Sequence, residues 1–323
     1  VTSHKHQAVE EMQAQGQNVI CLESVGLAPV NQAHQMLELE LVRAKILAIP
    51  KAERKILTFK ITPRLTILAL ALEAEVLMPS SQLNRFWEDK NKGMAELTKV
   101  GVPTKPGISG AFATFDYQTI VDQWNYAKLV IQKPRGMAGS TTYFVENKTQ
   151  WQELSSILHN TLVKITPYIE GDPFTINCLL NNTGVYHGYP MFQITGDKRF
   201  TRYSGGTCGV DMTGGRIFST TFLKRLDEIV NFIGTSLRKT AFWGWFGIDF
   251  LVTKNDGIVV LEINPRFTAS ISVFSQAQNY FLGASFWQAY IDKNKGLPDM
   301  VKALPLTSLI LRNISTASIK ILN

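Results

Sequence analysis

"GIDFLVTKNDGIVVLEINPRF", Gly247 to Phe267, decides how this chain is read. Two runs of Ile, Phe, Leu and Val flank Lys254-Asn255-Asp256-Gly257, and Asp-Gly is a strong turn signal, so the stretch predicts a β-hairpin. Inside it stand Asp249, Glu262 and Asn264. A carboxylate in such apolar company is costly to bury unless it is paired, hydrogen-bonded or holding a cation. Strand side chains alternate between faces, so Glu262 and Asn264 share one. A turn centred on Asn255-Asp256 sets Asp249 opposite Glu262; a turn centred on Asp256-Gly257 sets it opposite Asn264. Either register gathers three oxygen-bearing side chains in one patch. Carboxylate and carbonyl oxygens suit Mg²⁺ or Mn²⁺ rather than zinc. The plainer reading is an exposed hairpin whose acids are solvated.

Working outward, 323 residues with 45% hydrophobic and 18% charged content suffice for two or three lobes with cores of their own. The net charge of +7 is spread along the chain, with no basic run of five, which suits a small anionic ligand and no nucleic acid. Cys21, Cys178 and Cys208 are odd in number and widely spaced, so no disulfide framework is expected and a reducing, cytoplasmic setting fits. The apolar stretch "LTILALALEAEVLM" is too short to span a bilayer and carries Glu73 and Glu75, so no membrane partner is expected.

Residues 1–80 read as a small Rossmann-like lobe. "HQAVEEMQAQG" predicts a helix and "NVICLE" a strand, the second half of a βαβ unit whose first strand would run into Val1; a shortened lobe is the expectation. "VNQAHQMLELELVRAKIL" predicts a helix. Residues 81–323 read as α+β, with a helix over "SQLNRFWEDKNKGMAELTKV", antiparallel hairpins after residue 110, and a long helix over "TTFLKRLDEIVNFIGTSLRKT".

Three further stretches carry possible chemistry. "KPRGMAGST" sets Lys133 at a strand end, followed by a loop with Gly136, Gly139 and Ser140; glycines let backbone N–H groups approach phosphate oxygens while a lysine neutralises charge, although a plain turn has the same look. It is not a P-loop. "TPYIEGD", with Thr166, Tyr168, Ile169 and Asp172, is either a strand connection or a hinge that bonds a purine edge. Lys198, Arg199 and Arg202 form a basic cluster, either a solvated face or an anion site. Lys90 by itself is a charge on a helix.

Together these pieces, over about residues 80–285 and in order, resemble the ATP-grasp carboxylate–amine ligases. "EDKNKGMAELTKVGVPTKPG" resembles the family's helix with a nucleotide-facing lysine, "LVIQKPRGMAGSTTYFV" its lysine and glycine-rich lid, "TPYIEGDPFTI" its adenine hinge, and "GIDFLVTKNDGIVVLEINPR" its metal hairpin. The resemblance implies two α+β lobes clamping ATP, with a Rossmann-like lobe before them, and divides residues 81–323 into a lid over about 110–165 and a metal-binding part over about 166–323. It implies Asp249, Glu262 and Asn264 as ligands of Mg²⁺ or Mn²⁺. Lys90, Lys133, Gly136, Gly139, Ser140, Thr166, Tyr168, Ile169 and Asp172 would hold ATP, and Arg266, Arg202 and Lys198 would serve the reacting phosphate or carboxylate. The expected partners are a small carboxylic acid and an amine, amino acids included, with a homodimer as an allowed assembly. The expected reaction joins acid to amine through an acyl phosphate; a thiol acceptor, or an ATP-binding module without turnover, are the alternatives. Two positions depart from the family pattern. Asp172 is followed by Pro173 where a ribose-binding carboxylate can stand, and Gly247 occupies a position that is arginine in several related ligases.

Overall fold

The structure is a computed structural model, and it describes residues 1–134, 139–212, 218–282, 285–294 and 317–319. It divides into two units, residues 1–82 and 83–323.

The first unit is mostly helical: α1 (Gln7–Ala14), α2 (Ala33–Glu38), α3 (Glu40–Leu47) and α4 (Pro63–Ala71), with a two-stranded parallel sheet of β1 (Lys55–Ile56) and β2 (Glu75–Val76). α4 has local start signals, since the Thr62 hydroxyl accepts from the Leu65 amide and Pro63 fills the first turn. The strand expected over "NVICLE" is reduced to one parallel bridge, Thr2 to Cys21, held by Thr2 N–H to Ile20 O and Leu22 N–H to Thr2 O. The single helix expected over 30–47 is interrupted at Leu39, whose ψ of 128 is extended.

The second unit opens within α5 (Ser81–Glu88), followed by α6 (Lys92–Lys99). A continuous helix was the expectation here. Instead the Asp89 carboxylate accepts from the Asn91 and Lys92 amides, so the chain restarts at α6 and Lys90 stands in the break. Then come β3 (Ile108–Ala111), α7 (Tyr117–Trp124), β4 (Leu129–Gln132), β5 (Thr142–Val145), α8 (Lys148–Leu158) and β6 (Leu162–Pro167). The four strands form an antiparallel sheet in the order β3-β6-β4-β5. One face of it buries Leu129, Ile131, Val163 and Ile165 against Phe112, Tyr117 and Trp151 from the helical side. Alternation leaves Gln132, Lys164 and Thr166 on the other face.

Four residues, Tyr168 to Gly171, lead into the larger antiparallel sheet: β7 (Asp172–Leu180), β8 (Val185–His187), β9 (Met191–Thr195), β10 (Thr207–Asp211), β11 (Gly244–Val252), β12 (Ile258–Asn264) and β13 (Ala317–Ile319). Its helices are α9 (Thr220–Lys239), α10 (Ile271–Leu282) and α11 (Phe286–Ile291). α9 buries Phe222, Leu226, Ile229, Val230, Ile233 and Leu237, a stripe of helical period, and Phe222 stacks on Phe218, which packs on Phe174 in the sheet. Ile248, Phe250 and Val252 belong to this core. On the opposite face, Trp245 at the start of β11 is covered by Phe274 and Phe286. Further along the same face stands Asp249. The sheet is thus sealed on one side and polar at one end of the other. All three cysteines are buried free thiols, and no helix among the described residues is long and apolar enough to cross a membrane.

Candidate active site

The 247–267 stretch is a hairpin, with a turn other than either expected one. Asp256 N–H donates to Thr253 O at 3.0 Å, Thr253 N–H to Gly257 O at 2.9 Å, and Asp256 has φ 57. The loop is therefore Lys254-Asn255-Asp256, three residues with the last left-handed. The ladder pairs Val252 with Ile258, Leu251 with Val259 and Phe250 with Val260, then slips so that Asp249 pairs with Glu262 and Gly247 with Asn264. Leu261 is the extra residue of a β-bulge, which re-aims the side chains after it. Val260 faces the core with Phe250, while Glu262 and Asn264 face away with Asp249.

Around Asp249 the polar face is continuous. Thr175, its partner on β7, bonds the carboxylate; Gln193 Nε2 donates to Oδ1 at 3.0 Å and Asn264 Nδ2 to Oδ2 at 3.0 Å. Burial, then the facing Glu262 carboxylate, pushes Asp249 up to about 7. Burial raises Glu262 as well, but the Lys90 ammonium 3.2 Å from Oε2, the hydrogen bond with Asp249 and the Arg266 charge together hold it below the ordinary value. Arg266 donates through Nη2 to Asn264 Oδ1 at 3.1 Å and through Nε to Glu88 at 3.2 Å. Asn84, one helical turn before Glu88 on α5, is fully buried and donates to the Pro265 carbonyl at 2.8 Å. One face of α5 thus fixes the Asn264–Arg266 corner. This was legible only as an i, i+4 pair on an amphipathic helix.

The donor set suits a hard cation. Among the described residues no three His, Cys, Asp or Glu side chains gather at one point. Two facing carboxylates and an amide oxygen are nonetheless what Mg²⁺ or Mn²⁺ takes when phosphate oxygens and water complete its shell. A cation between the two carboxylates would offset the facing charge that, after burial, lifts Asp249.

The smaller sheet and the connection after it carry several of the residues expected to hold a nucleotide. Thr166 is buried and its hydroxyl has no hydrogen-bond partner among the described residues, an orphan that a bound ligand would satisfy. Two residues before it, Lys164 is buried too, donating to the Lys90 carbonyl at 2.5 Å. The Tyr168 amide is held by Lys128 O, and its ring lies 4.0 Å from the Lys128 ammonium. Ile169 is half-buried, and Asp172 is exposed at the start of β7. Gly171 lies where a Cβ would stand 2.9 Å from Val252 O, so the connection runs close against β11.

The glycine-rich loop is placed in part. Gly136 lies outside the described residues, as does 213–217 of the second glycine-rich loop. Gly139 has φ 71, and a Cβ there would overlap the Gly205 carbonyl, so the two loops meet backbone to backbone. Ser140 comes next, half-buried. Lys133 donates its amide to Thr141 O and lines a cavity of about 680 Å³ with Asp89, Asn91, Ser109 and Leu162. The basic cluster does not converge on the acids. Lys198 is exposed on a turn, Arg199 pairs with Asp197, and exposed Arg202 donates to the Tyr203 hydroxyl at 2.8 Å. Of the three proposed basic catalytic groups, only Arg266 is brought to the carboxylate pair.

Comparisons with known proteins bear on the family and the fold. A family model described as an ATP-grasp domain matches residues 87–270, more than half of the chain. No curated protein sequence matches it. Among solved structures, it is similar to N5-carboxyaminoimidazole synthase from Aspergillus clavatus in complex with ADP and 5-aminoimidazole ribonucleotide, at 15% identity and TM-score 0.59, over 76% of this chain and 66% of that one. It is similar to biotin carboxylase from Campylobacter jejuni at 15% identity and TM-score 0.65, over 90% and 69% of the respective chains. D-alanine-D-alanine ligase from Coxiella burnetii gives 17% identity and TM-score 0.52, over 80% and 70%. The chain therefore spans about two thirds of the length of these structures.

Proposed function

On the premise that the chain belongs to the ATP-grasp family, a family of ATP-dependent ligases, we propose that it joins a small carboxylic acid to an amine. The substrate carboxylate takes the γ-phosphoryl group of ATP, giving an acyl phosphate and ADP. The amine then attacks the acyl carbon, phosphate leaves, and the nitrogen loses a proton to give an amide. The observation that carries this reading is the Asp249–Glu262 pair facing Lys90 and Arg266 at the polar end of an otherwise sealed sheet.

Each residue has a part set by its chemistry. Asp249, Glu262 and the Asn264 amide oxygen would hold Mg²⁺ or Mn²⁺, whose charge, when bound, lets one anion approach another. Arg266, fixed by Glu88 and Asn264, presents a guanidinium at the same edge and steadies charge on the transferring phosphoryl group or the substrate carboxylate. Thr166 and the connection after it would hold the base, and Gly139 and Ser140 the phosphates. No side-chain nucleophile is needed, because positioning and charge neutralisation supply the acceleration. The buried free thiols suit a reducing compartment. A thiol acceptor remains the second reading within the same activation chemistry.

Nucleotide linkage tests the premise. ATP with Mg²⁺ should raise the melting temperature; at a hundred times its Kd the gain is about 2.7 kcal/mol. AMP at equal concentration should do far less, because the phosphate contacts are missing. Equal shifts from the two nucleotides would remove the phosphate site from this cleft.

A further inference from the structure

Three lysines, only one of them singled out by sequence, converge on Glu262. Lys90 touches it from the break between α5 and α6. Lys164 reaches from β6 to the Lys90 carbonyl, and the Lys90 charge acts on its ammonium. Lys105 comes from a third direction. The segment before it is laid along β12, with Val260 N–H donating to Pro103 O at 2.8 Å and Thr104 bridged to Val260 in parallel. Lys105 has no hydrogen-bond or ion-pair partner among the described residues, yet it senses Lys164, Lys90 and Glu262. Burial, then the crowding of like charges, pulls Lys105 down to about 7 and Lys164 down to about 8.

The local count is unbalanced. Lys90, Lys105 and Lys164 face Glu262, whose partner Asp249 is pushed toward its neutral form, with Asp89 adding a carboxylate near Lys164. The Asp89 carboxylate is already engaged by two backbone amides. Crowded, partly buried ammonium groups are unfavourable on their own and wait for an anion that carries several charges. Lys133, the lysine of the lid, is absent from this group.

We infer that Lys105 and Lys164 join Lys90 in a three-sided cradle for the polyphosphate of the nucleotide, and that Lys105 is its specificity-determining member, separating triphosphate from monophosphate. The inference rests on the ATP-dependent reading above and adds residues to it. Lys164 also positions Lys90 through the carbonyl bond, whereas Lys105 bonds nothing in the described structure, so its removal leaves no orphaned partner.

Lysine acylation coupled to mass spectrometry tests this on the intact chain, with nucleotide affinity measured by calorimetry. ATP should protect Lys105 from acylation at least fivefold and AMP should not, while exposed Lys99 stays equally reactive throughout. Lys105→Met should weaken ATP binding about tenfold or more with AMP affinity unchanged, and Lys105→Arg should recover most of the loss. If the wild-type chain binds no ATP, the ligase reading itself falls. If it binds ATP while Lys105 stays reactive, or if Lys105→Met binds ATP as well as wild type, only the cradle is overturned.

Discussion

Glu262→Gln should lower the rate of ADP release by on the order of a hundredfold or more, comparable to losing a strong electrostatic stabiliser, while the chain stays folded. The substitution keeps size and shape but removes one of the two facing charges at the polar end of β11 and β12. It also leaves Lys90 without its carboxylate partner at 3.2 Å. Hydroxylamine separates the reaction classes. With the true acid present, the wild-type chain should form a hydroxamate together with ADP, because the acyl phosphate is intercepted, and Glu262→Gln should form almost none. ADP release without hydroxamate would point to a kinase or a plain ATPase. A full rate in Glu262→Gln would return these acids to the solvated reading.

Gly247 gives the second large effect, and it concerns the departure from the family pattern. A side chain here, arginine included, should not improve the site. A Cβ at Gly247 would stand 2.5 Å from Thr268 Cγ2. That methyl cannot swing aside, since Thr268 Oγ1 is held by Asn177 Oδ1 at 2.6 Å and by Ser270 at 3.0 Å, on a buried polar cluster beneath the strand. Gly247→Ala should therefore cost about 1–3 kcal/mol in urea unfolding, the usual range for overpacking, and Gly247→Arg more. Thr268→Ser keeps the hydroxyl and deletes the methyl, so in the Gly247→Ala background it should recover most of the loss. An additive double variant would mean that the two positions do not meet.

Legibility from sequence tracks how local each feature is. The hairpin was legible because its two apolar runs and Asp-Gly lie within twenty residues, and because Glu262 and Asn264 keep period two. The bulge was not, since "IVVL" is apolar throughout and an extra residue leaves that pattern intact. The register at the acids was therefore open from sequence, and the structure resolves it with a three-residue loop and a slip at Leu261. Lys164 reads as the exposed member of an alternating strand, yet the α5–α6 break buries it. Proximity in sequence misled in the other direction at Lys198 and Arg202, which share a basic cluster with Arg199 but sit on an exposed turn. The break at Lys90 had a signal in Asp89, a residue that bonds the amides just after it.

The contact between Lys90 and Glu262 has a consequence for assembly of the working enzyme. The Lys90 ammonium already stands against Glu262, so the folded chain carries a placeholder cation at the proposed metal site. Acquisition of the ion is then a late event, uncoupled from chain folding, unlike small metal domains that collapse only when loaded. Exhaustive chelation should silence the chain yet leave its melting temperature within about one degree, because nothing structural waits on the ion. Lys90→Met removes the placeholder, and in that variant Mg²⁺ alone should raise the melting temperature. A wild-type chain that unfolds on chelation would show that the ion, and not the lysine, is the keystone of the hairpin.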